Sequence, residues 1–343
     1  MGRFRFAGLM LALTMLLTGC VKSDPVQRQF FAMDTFMTFT AYGNGAEDGL
    51  AAGEEFLHRL ESEISVTREG SDLAALNAGS SPRSLSEQTY ALLERSLELC
   101  ALTGGTLDIT AYPAVRAWGF TTGENRVPSP EELTALAENI DYTAVTLDPA
   151  AATVALPAGM ELDLGAVAKG WAGEELARQL RAAGVTSAAL SLGGNVQTIG
   201  TKPDGSLWRI GIQDPHSETG AYLASVSVAD LAVVTSGVYQ RFFEQDGVTY
   251  WHILDPETAA PSRSGVSSAT IVGRSGSLCD AFSTALFIMG GEQAAQFWLD
   301  NPQLEFDYVL IFEDGSIHIT AGLEDSFQLV DGYRDRKVTV IAP

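Results

Sequence analysis

Hydrophobic and polar positions change period often along this chain, and the changes mark out its elements. Alternation rich in Phe and Thr from Phe30 to Tyr42 predicts one strand. From Asp48 to Ile64 the apolar spacing turns helical, and Asp72 to Leu76 starts a short turn that ends near Asn77-Ala78-Gly79. Ser86 to Thr103 predicts a helix capped by Ser86 and closed by Gly104-Gly105. The stretches Thr106-Leu107-Asp108-Ile109-Thr110 and Ala117-Trp118-Gly119-Phe120 read as a pocket wall more than as a regular element. Ser129-Pro130 opens a helix to Glu138, since proline costs nothing at the first helical position. Thr143 to Leu147 and Thr153 to Leu156 suggest a hairpin around Asp148-Pro149.

The second half opens at Leu162-Asp163-Leu164-Gly165-Ala166-Val167-Ala168-Lys169-Gly170, which feeds a helix reaching about Ala183. Ala188 to Leu192 is a buried strand stopped by Gly193-Gly194-Asn195. Further strands are expected at Trp208 to Gln213, Leu223 to Val228, Leu231 to Thr235, Tyr250 to Leu254, Ala269 to Val272, Tyr308 to Phe312 and Ile317 to Thr320, with Ser236-Gly237 as a turn. A helix begins at Ser277, with Leu278, Phe282, Leu286 and Met289 as its core stripe, and another lies near Gly291 to Leu299. Helices and antiparallel strands mix without a βαβ rhythm, so the expected class is α+β.

The Ser277 helix carries oxygen ligands in apolar surroundings. Asp280 and Thr284, four residues apart, share one face and can meet one ligand or hard cation. The ordinary alternative makes Ser277 the cap and Asp280 its capping-box partner.

Composition narrows the setting. Arg3 and Arg5 precede an apolar run, Phe6 to Leu17, too short to span a bilayer comfortably. It ends in Leu17-Thr18-Gly19-Cys20, which resembles a bacterial lipoprotein cleavage box. The expected organisation is therefore a signal peptide over 1–19, a lipidated tether over 20–29 starting at Cys20, and one domain over 30–343 held to the extracytoplasmic face of the cell membrane. The net charge of −22 argues against nucleic acid as a partner and means that an anionic ligand needs local help from a metal, backbone amides or placed cations. Cys100 and Cys279 remain, either paired or separately buried. No CxxC, HExxH, GxGxxG, GxSxG or Walker-type GK[ST] pattern occurs.

Three further stretches could carry chemistry. Gly193-Gly194 lets backbone approach a phosphate, or is merely a turn. Asp163 and Lys169 bracket a helix entrance where an anion could sit, or are a cap and a solvated lysine. His252, one of 4 histidines, lies between aromatics and a turn and could be a base, a donor or a structural residue.

Taken together and in order, these pieces resemble the ApbE family of FAD:protein FMN transferases. The matching motifs are Met33-Asp34-Thr35, Gly104 to Thr110 with Trp118-Gly119-Phe120, Asp163 to Gly170, Gly193-Gly194-Asn195, Thr235-Ser236-Gly237, His252 to Pro256, and Asp280-Ala281 through Ser283-Thr284. The resemblance implies a T-fold-like α+β protein using FAD as substrate and Mg²⁺ as cofactor. It would transfer FMN to a Thr or Ser of an acceptor protein in a membrane-associated redox system, releasing AMP. It implies metal ligation by Asp280, Thr284 and the Ala166 carbonyl. FAD would meet Met33, Gly105, Thr106, Leu107, Asp163, Lys169 and Leu254, with Gly193 and Gly194 near the pyrophosphate. Asp280 and His252 are the expected catalytic pair, His252 as base. Thr67 stands where many relatives carry an aromatic, and Cys279 where a small residue is usual. Two alternatives remain at this stage: an FAD pyrophosphatase giving FMN and AMP, and a flavin-binding lipoprotein without catalysis.

Overall fold

The computed structural model describes residues 24–79, 81–217 and 220–343. The expected signal peptide and Cys20 lie outside the described residues.

A nine-stranded sheet runs through the molecule in the order Val26–Ala32, Thr35–Tyr42, Ser187–Leu192, Asn195–Ile199, Ala232–Gly237, Val266–Gly273, Phe306–Phe312, Ile317–Thr320, Val338–Ile341. Neighbours are antiparallel except the last pair, which is parallel. The class is α+β, as the pattern predicts. The expected single strand Phe30 to Tyr42 is instead a hairpin. Met33 and Asp34 both take positive φ (50° and 58°), the turn that matches strand twist in a two-residue loop. The first strand also begins at Val26, inside the stretch read as a tether.

Side chains alternate across the sheet and build two cores. Along Val266–Gly273 every residue is buried. Ala269 and Ile271 face the helices, while Val272 joins Val233, Val309 and Ile311 against the three-stranded sheet formed by Trp208–Gln213, Tyr222–Val228 and Phe327–Leu329. A strand covered on both faces loses its polar alternation, and here the hydroxyl side chains of Ser267, Ser268 and Thr270 are buried along with the apolar ones.

Among the described residues seven α-helices complete the fold: α1 (Ala46–Ile64), α2 (Asp72–Asn77), α3 (Glu87–Leu102), α4 (Tyr112–Ala117), α5 (Pro130–Ala137), α6 (Gly165–Ala182) and α7 (Gly276–Asp300). Leu50, Phe56, Leu57 and Leu60 of α1 pack with Leu176 and Leu180 of α6 over Met37 and Phe39 of the sheet. Each such fully buried side chain contributes roughly 1.5–3 kcal/mol. The stretch read as a pocket wall contains a 3₁₀ turn, Ile109–Ala111, and α4, which is too short for its periodicity to show.

The two helices expected after Ser277 are one element broken at Gly290, whose φ of 75° and ψ of 178° are non-helical. Its N-cap is Ser275, whose hydroxyl accepts from the Leu278 N–H at 3.3 Å, so the expected Ser277 cap and its Asp280 partner are corrected. Leu278, Phe282 and Leu286 are buried as expected, but so are Asp280, Ala281 and Ser283. The first half of α7 is therefore central and enclosed nearly all round. Ser236-Gly237, expected as a turn, closes the strand Ala232–Gly237, and Asn195–Ile199 continues as a strand where a stop was expected. Cys100 and Cys279 are both free and buried. No helix among the described residues is long and apolar enough to cross a membrane.

Candidate active site at the α6 and α7 crossing

Helices α6 and α7 meet at two glycines. A Cβ on Gly170 would lie 2.1 Å from the Gly276 carbonyl oxygen and 2.6 Å from the Asp280 Cβ, and one on Gly276 would lie 2.4 Å from the Gly170 carbonyl oxygen. The contact is backbone on backbone. It allows the Gly170 N–H to donate to Asp280 Oδ2 at 2.7 Å. In a regular helix that N–H bonds the Ala166 carbonyl. Asp280 is thereby held against the start of α6, one turn on from Ala166.

Asp280 is 4% exposed. Burial pushes its carboxyl above the usual carboxylate range, opposed by the Lys169 ammonium, the Gly170 N–H and the Asn195 amide. The Asn195 amide nitrogen is buried without a hydrogen-bond partner of good geometry. The third expected ligand, Thr284, presents its hydroxyl 3.4 Å from Ser236 Oγ, which also bonds Ser283 Oγ at 2.7 Å. Across the crossing Glu174 of α6 accepts from the Ser275 hydroxyl at 2.9 Å and from the Ser277 N–H at 3.1 Å, fixing the start of α7.

The donor set suits a hard divalent ion. One buried carboxylate, one hydroxyl and one main-chain carbonyl leave room for substrate oxygens and water, the arrangement Mg²⁺ favours. Among the described residues no cluster of three or more His, Cys, Asp or Glu could form an all-side-chain cage. The residues present therefore fit Mg²⁺ bound jointly with a phosphate ligand.

Beside this carboxylate lies a second set. Asn77 holds the entrance to α6 through two hydrogen bonds to Leu162, at 2.9 and 2.8 Å. Next to it Asp163 accepts from the Gly165 N–H at 2.8 Å, and its own N–H donates to the Ile109 carbonyl at 2.9 Å. That bond ties Asp163 to the expected Gly105-Thr106-Leu107 turn, where Gly105 takes φ 85° and the Leu107 N–H donates to Thr103 Oγ1. Burial raises the Asp163 pKa, while the Gly165 N–H, Arg241 and Lys169 pull it back.

His252 feels the same two cations. Desolvation first, then Arg241 and Lys169, lower its pKa to about 4, against the pull of its bond to Arg241. Aromatic groups supply part of the dry surroundings, with Phe120 edge-on at 6.4 Å between centroids. His252 Nδ1 lies 3.3 Å from the Arg241 carbonyl oxygen. A carbonyl only accepts, so Nδ1 carries the proton and Nε2 keeps a free lone pair.

Gly193 and Gly194, with φ 65° and 101°, form the turn between Ser187–Leu192 and Asn195–Ile199. A Cβ on Gly193 would strike Thr35 Oγ1 at 2.2 Å, so this turn packs against the hairpin that bears Met33. Met33 is fixed by its N–H donating to Glu61 Oε1 at 2.9 Å. Its neighbour Asp34 pairs with Arg241 at 3.3 Å. Leu107 and Leu254, at 3% and 6% exposure, are core side chains, so a ligand would meet their backbone.

The chain matches the ApbE family over residues 33–306. It belongs to that family. The FAD:protein FMN transferase of Treponema pallidum (strain Nichols) is 36% identical to it over 292 residues, 80% of each chain. A transferase of the same name from Vibrio cholerae is 31% identical over 294 residues, 82% of this chain and 87% of the relative. The crystal structure of the ApbE protein of Thermotoga maritima superposes with a TM-score of 0.83 at 30% identity, covering 88% of this chain and 99% of that one. In this ApbE chain sequence reasoning left four contributors unassigned: Asn77, Asn195, Ser236 and Arg241. Asn195 and Ser236 stand inside motifs already quoted, so position within the motif was their available signal. Arg241 and Asn77 had none, because only folding brings them to His252 and Leu162.

Proposed function

We propose that this protein transfers the FMN moiety of FAD to a threonine or serine hydroxyl of an acceptor protein, releasing AMP. Family membership supports the reaction. The observation that supports its assignment to this site is the Gly170 N–H bond to Asp280, which fixes the buried carboxylate against α6, close to Lys169 and one turn on from Ala166.

In the balanced step the acceptor oxygen bonds to the FMN-side phosphorus while the bond from that phosphorus to the AMP oxygen breaks. AMP leaves with the bridging oxygen, and the hydroxyl proton goes to Nε2 of His252. Bound Mg²⁺, held by Asp280, Thr284 and the Ala166 carbonyl, would neutralise charge on the pyrophosphate and the departing AMP. Lys169 and Arg241 add fixed positive charge. Desolvation first, helped by the same two cations, holds His252 neutral, the form a base requires. A bound pyrophosphate offsets them and raises the His252 pKa toward its working range. Met33, the Gly105-Thr106-Leu107 turn, Asp163, Leu254, Gly193 and Gly194 line the FAD.

The Leu17-Thr18-Gly19-Cys20 sequence supports a lipid anchor on Cys20 at the extracytoplasmic face, with an acceptor in a membrane-associated redox system. The test is to incubate a soluble form with FAD, Mg²⁺ and a flavin-free acceptor domain. Flavin fluorescence that survives denaturing electrophoresis is expected. Free FMN and AMP without label would replace transfer by hydrolysis, and unchanged FAD would leave only binding.

A further inference from the structure

Two large aromatics stand in solvent at the edge of this site. Phe31 is 55% exposed and Phe36 76%. They face each other across the Met33-Asp34 turn, with ring centroids 5.5 Å apart and planes at 79°. Phe242, 51% exposed, follows Arg241 directly, and Arg241 reaches the same turn through Asp34. The turn is held rigidly. Glu61 grips the Met33 N–H, Thr35 packs on Gly193, and two residues other than glycine sit at positive φ. Exposed aromatics on a fixed support lose little entropy when covered, which makes them good interface anchors.

We infer that Phe31 and Phe36, with Phe242 beside them, form the docking surface for the acceptor protein. The inference rests on the transferase reading above and adds where the protein substrate sits. Two observations favour that occupant. First, the pair is continuous with the site: Thr35, which precedes Phe36, touches the Gly193 turn, and Asp34 pairs with the Arg241 that acts on His252 and Asp163. A protein bringing a hydroxyl to that site must cover its rim. Second, the chain enters the first strand at Val26, the opposite end of the hairpin from Phe31, roughly 17 Å away at about 3.4 Å per residue. A lipid anchor reached through the preceding residues would join the far end of the hairpin, leaving the aromatic tip open to the acceptor.

The test uses a flavin-free flavoprotein domain whose threonine carries the flavin when labelled. KM for this domain and for FAD are measured separately in the unaltered protein and in Phe36→Ser and Phe31→Ser. Both positions are exposed, so the variants fold. Each is expected to raise the acceptor KM about tenfold or more and to leave the KM for FAD unchanged. An unchanged acceptor KM overturns the inference while the transferase reading stands. Loss of a concentration-dependent dimer, or of binding to phosphatidylglycerol vesicles, with acceptor KM unchanged, assigns the patch to a second copy or to lipid and likewise overturns it. No label from the unaltered protein overturns the transferase reading and this surface together.

Discussion

Adding one methyl group at Gly170 tests whether the α6 and α7 crossing holds the site together. The new Cβ would lie 2.1 Å from the Gly276 carbonyl oxygen and 2.6 Å from the Asp280 Cβ, both more than about 1 Å inside van der Waals separation. Neither neighbour is the free end of a flexible side chain, so the helices themselves must part. Overpacking of this kind costs about 1–3 kcal/mol. Parting the helices also stretches the Gly170 N–H bond to Asp280, and a hydrogen bond to a charged group is worth about 1.5–3 kcal/mol. The expected destabilisation of Gly170→Ala is therefore ~3–5 kcal/mol, read from urea denaturation at constant m. Gly173→Ala is the control on the same helix. Its Cβ would meet Gln197 and Leu192 at 3.4 Å, ordinary contact, and alanine gains roughly 1 kcal/mol of helix propensity over glycine. It should be neutral or stabilising and keep activity. If Gly170→Ala matches Gly173→Ala in midpoint and label transfer, the crossing does not position Asp280 and the reasoning fails.

Three other outcomes follow from the charges and thiols. His252 should titrate by NMR near pH 4 and not 6.5 in the ligand-free protein, and Arg241→Ala should move it upward. Because folding lowers that pKa, its contribution to stability should be lost as pH falls from 6.5 to about 4. Asp280 has the opposite sign: folding raises its pKa, so the ionised carboxylate opposes folding above that pKa and the opposition fades as pH falls through it. Asp280→Asn should consequently abolish Mg²⁺-dependent label transfer with a thermal midpoint unchanged or raised when measured without metal, and a large drop in midpoint would contradict this. Burial pushes the Cys100 thiol up to about 12 and the Cys279 thiol further. A form beginning at Asp24 should therefore show no reaction with a disulfide reagent at pH 8 until denatured, and rapid native labelling would count against both burials.

Helices such as α1 were legible because they bury one face with a regular period. What escaped was set by contacts remote in sequence. Phe30 to Tyr42 contains no Gly, Pro or Asn at Met33-Asp34 or anywhere else, so none of these turn residues marked a reversal there. Glu61, on α1, is what holds it. Gly193-Gly194 was read as a stop, although two glycines between apolar runs are also a hairpin signal, and Asn195–Ile199 is the returning strand. At the candidate site, spacing placed Asp280 and Thr284 on one face correctly but assigned the carboxylate to its own helix cap. The true donor, Gly170, is 110 positions away.

The charge of this site also explains how so acidic a chain can accept a pyrophosphate. Its carboxylates are engaged by donors: Asp34 by Arg241, Asp163 by the Gly165 N–H, Asp280 by the Gly170 N–H. Against these three carboxyl groups stand Lys169 and Arg241, leaving the local set, with all three ionised, at a net charge of −1. A pyrophosphate diester brings about two more, and at close range that repulsion exceeds what two half-exposed cations offset. A divalent cation shared between Asp280 and the phosphates returns the set to its starting charge. Burial pushes Asp280 toward its neutral form, with Lys169, Gly170 and Asn195 opposing it, so a cation on the carboxylate would relieve the burial cost as well as the phosphate charge. The buried carboxylate thus makes better physical sense as half of a metal site completed by substrate than as an anion-binding pocket on its own.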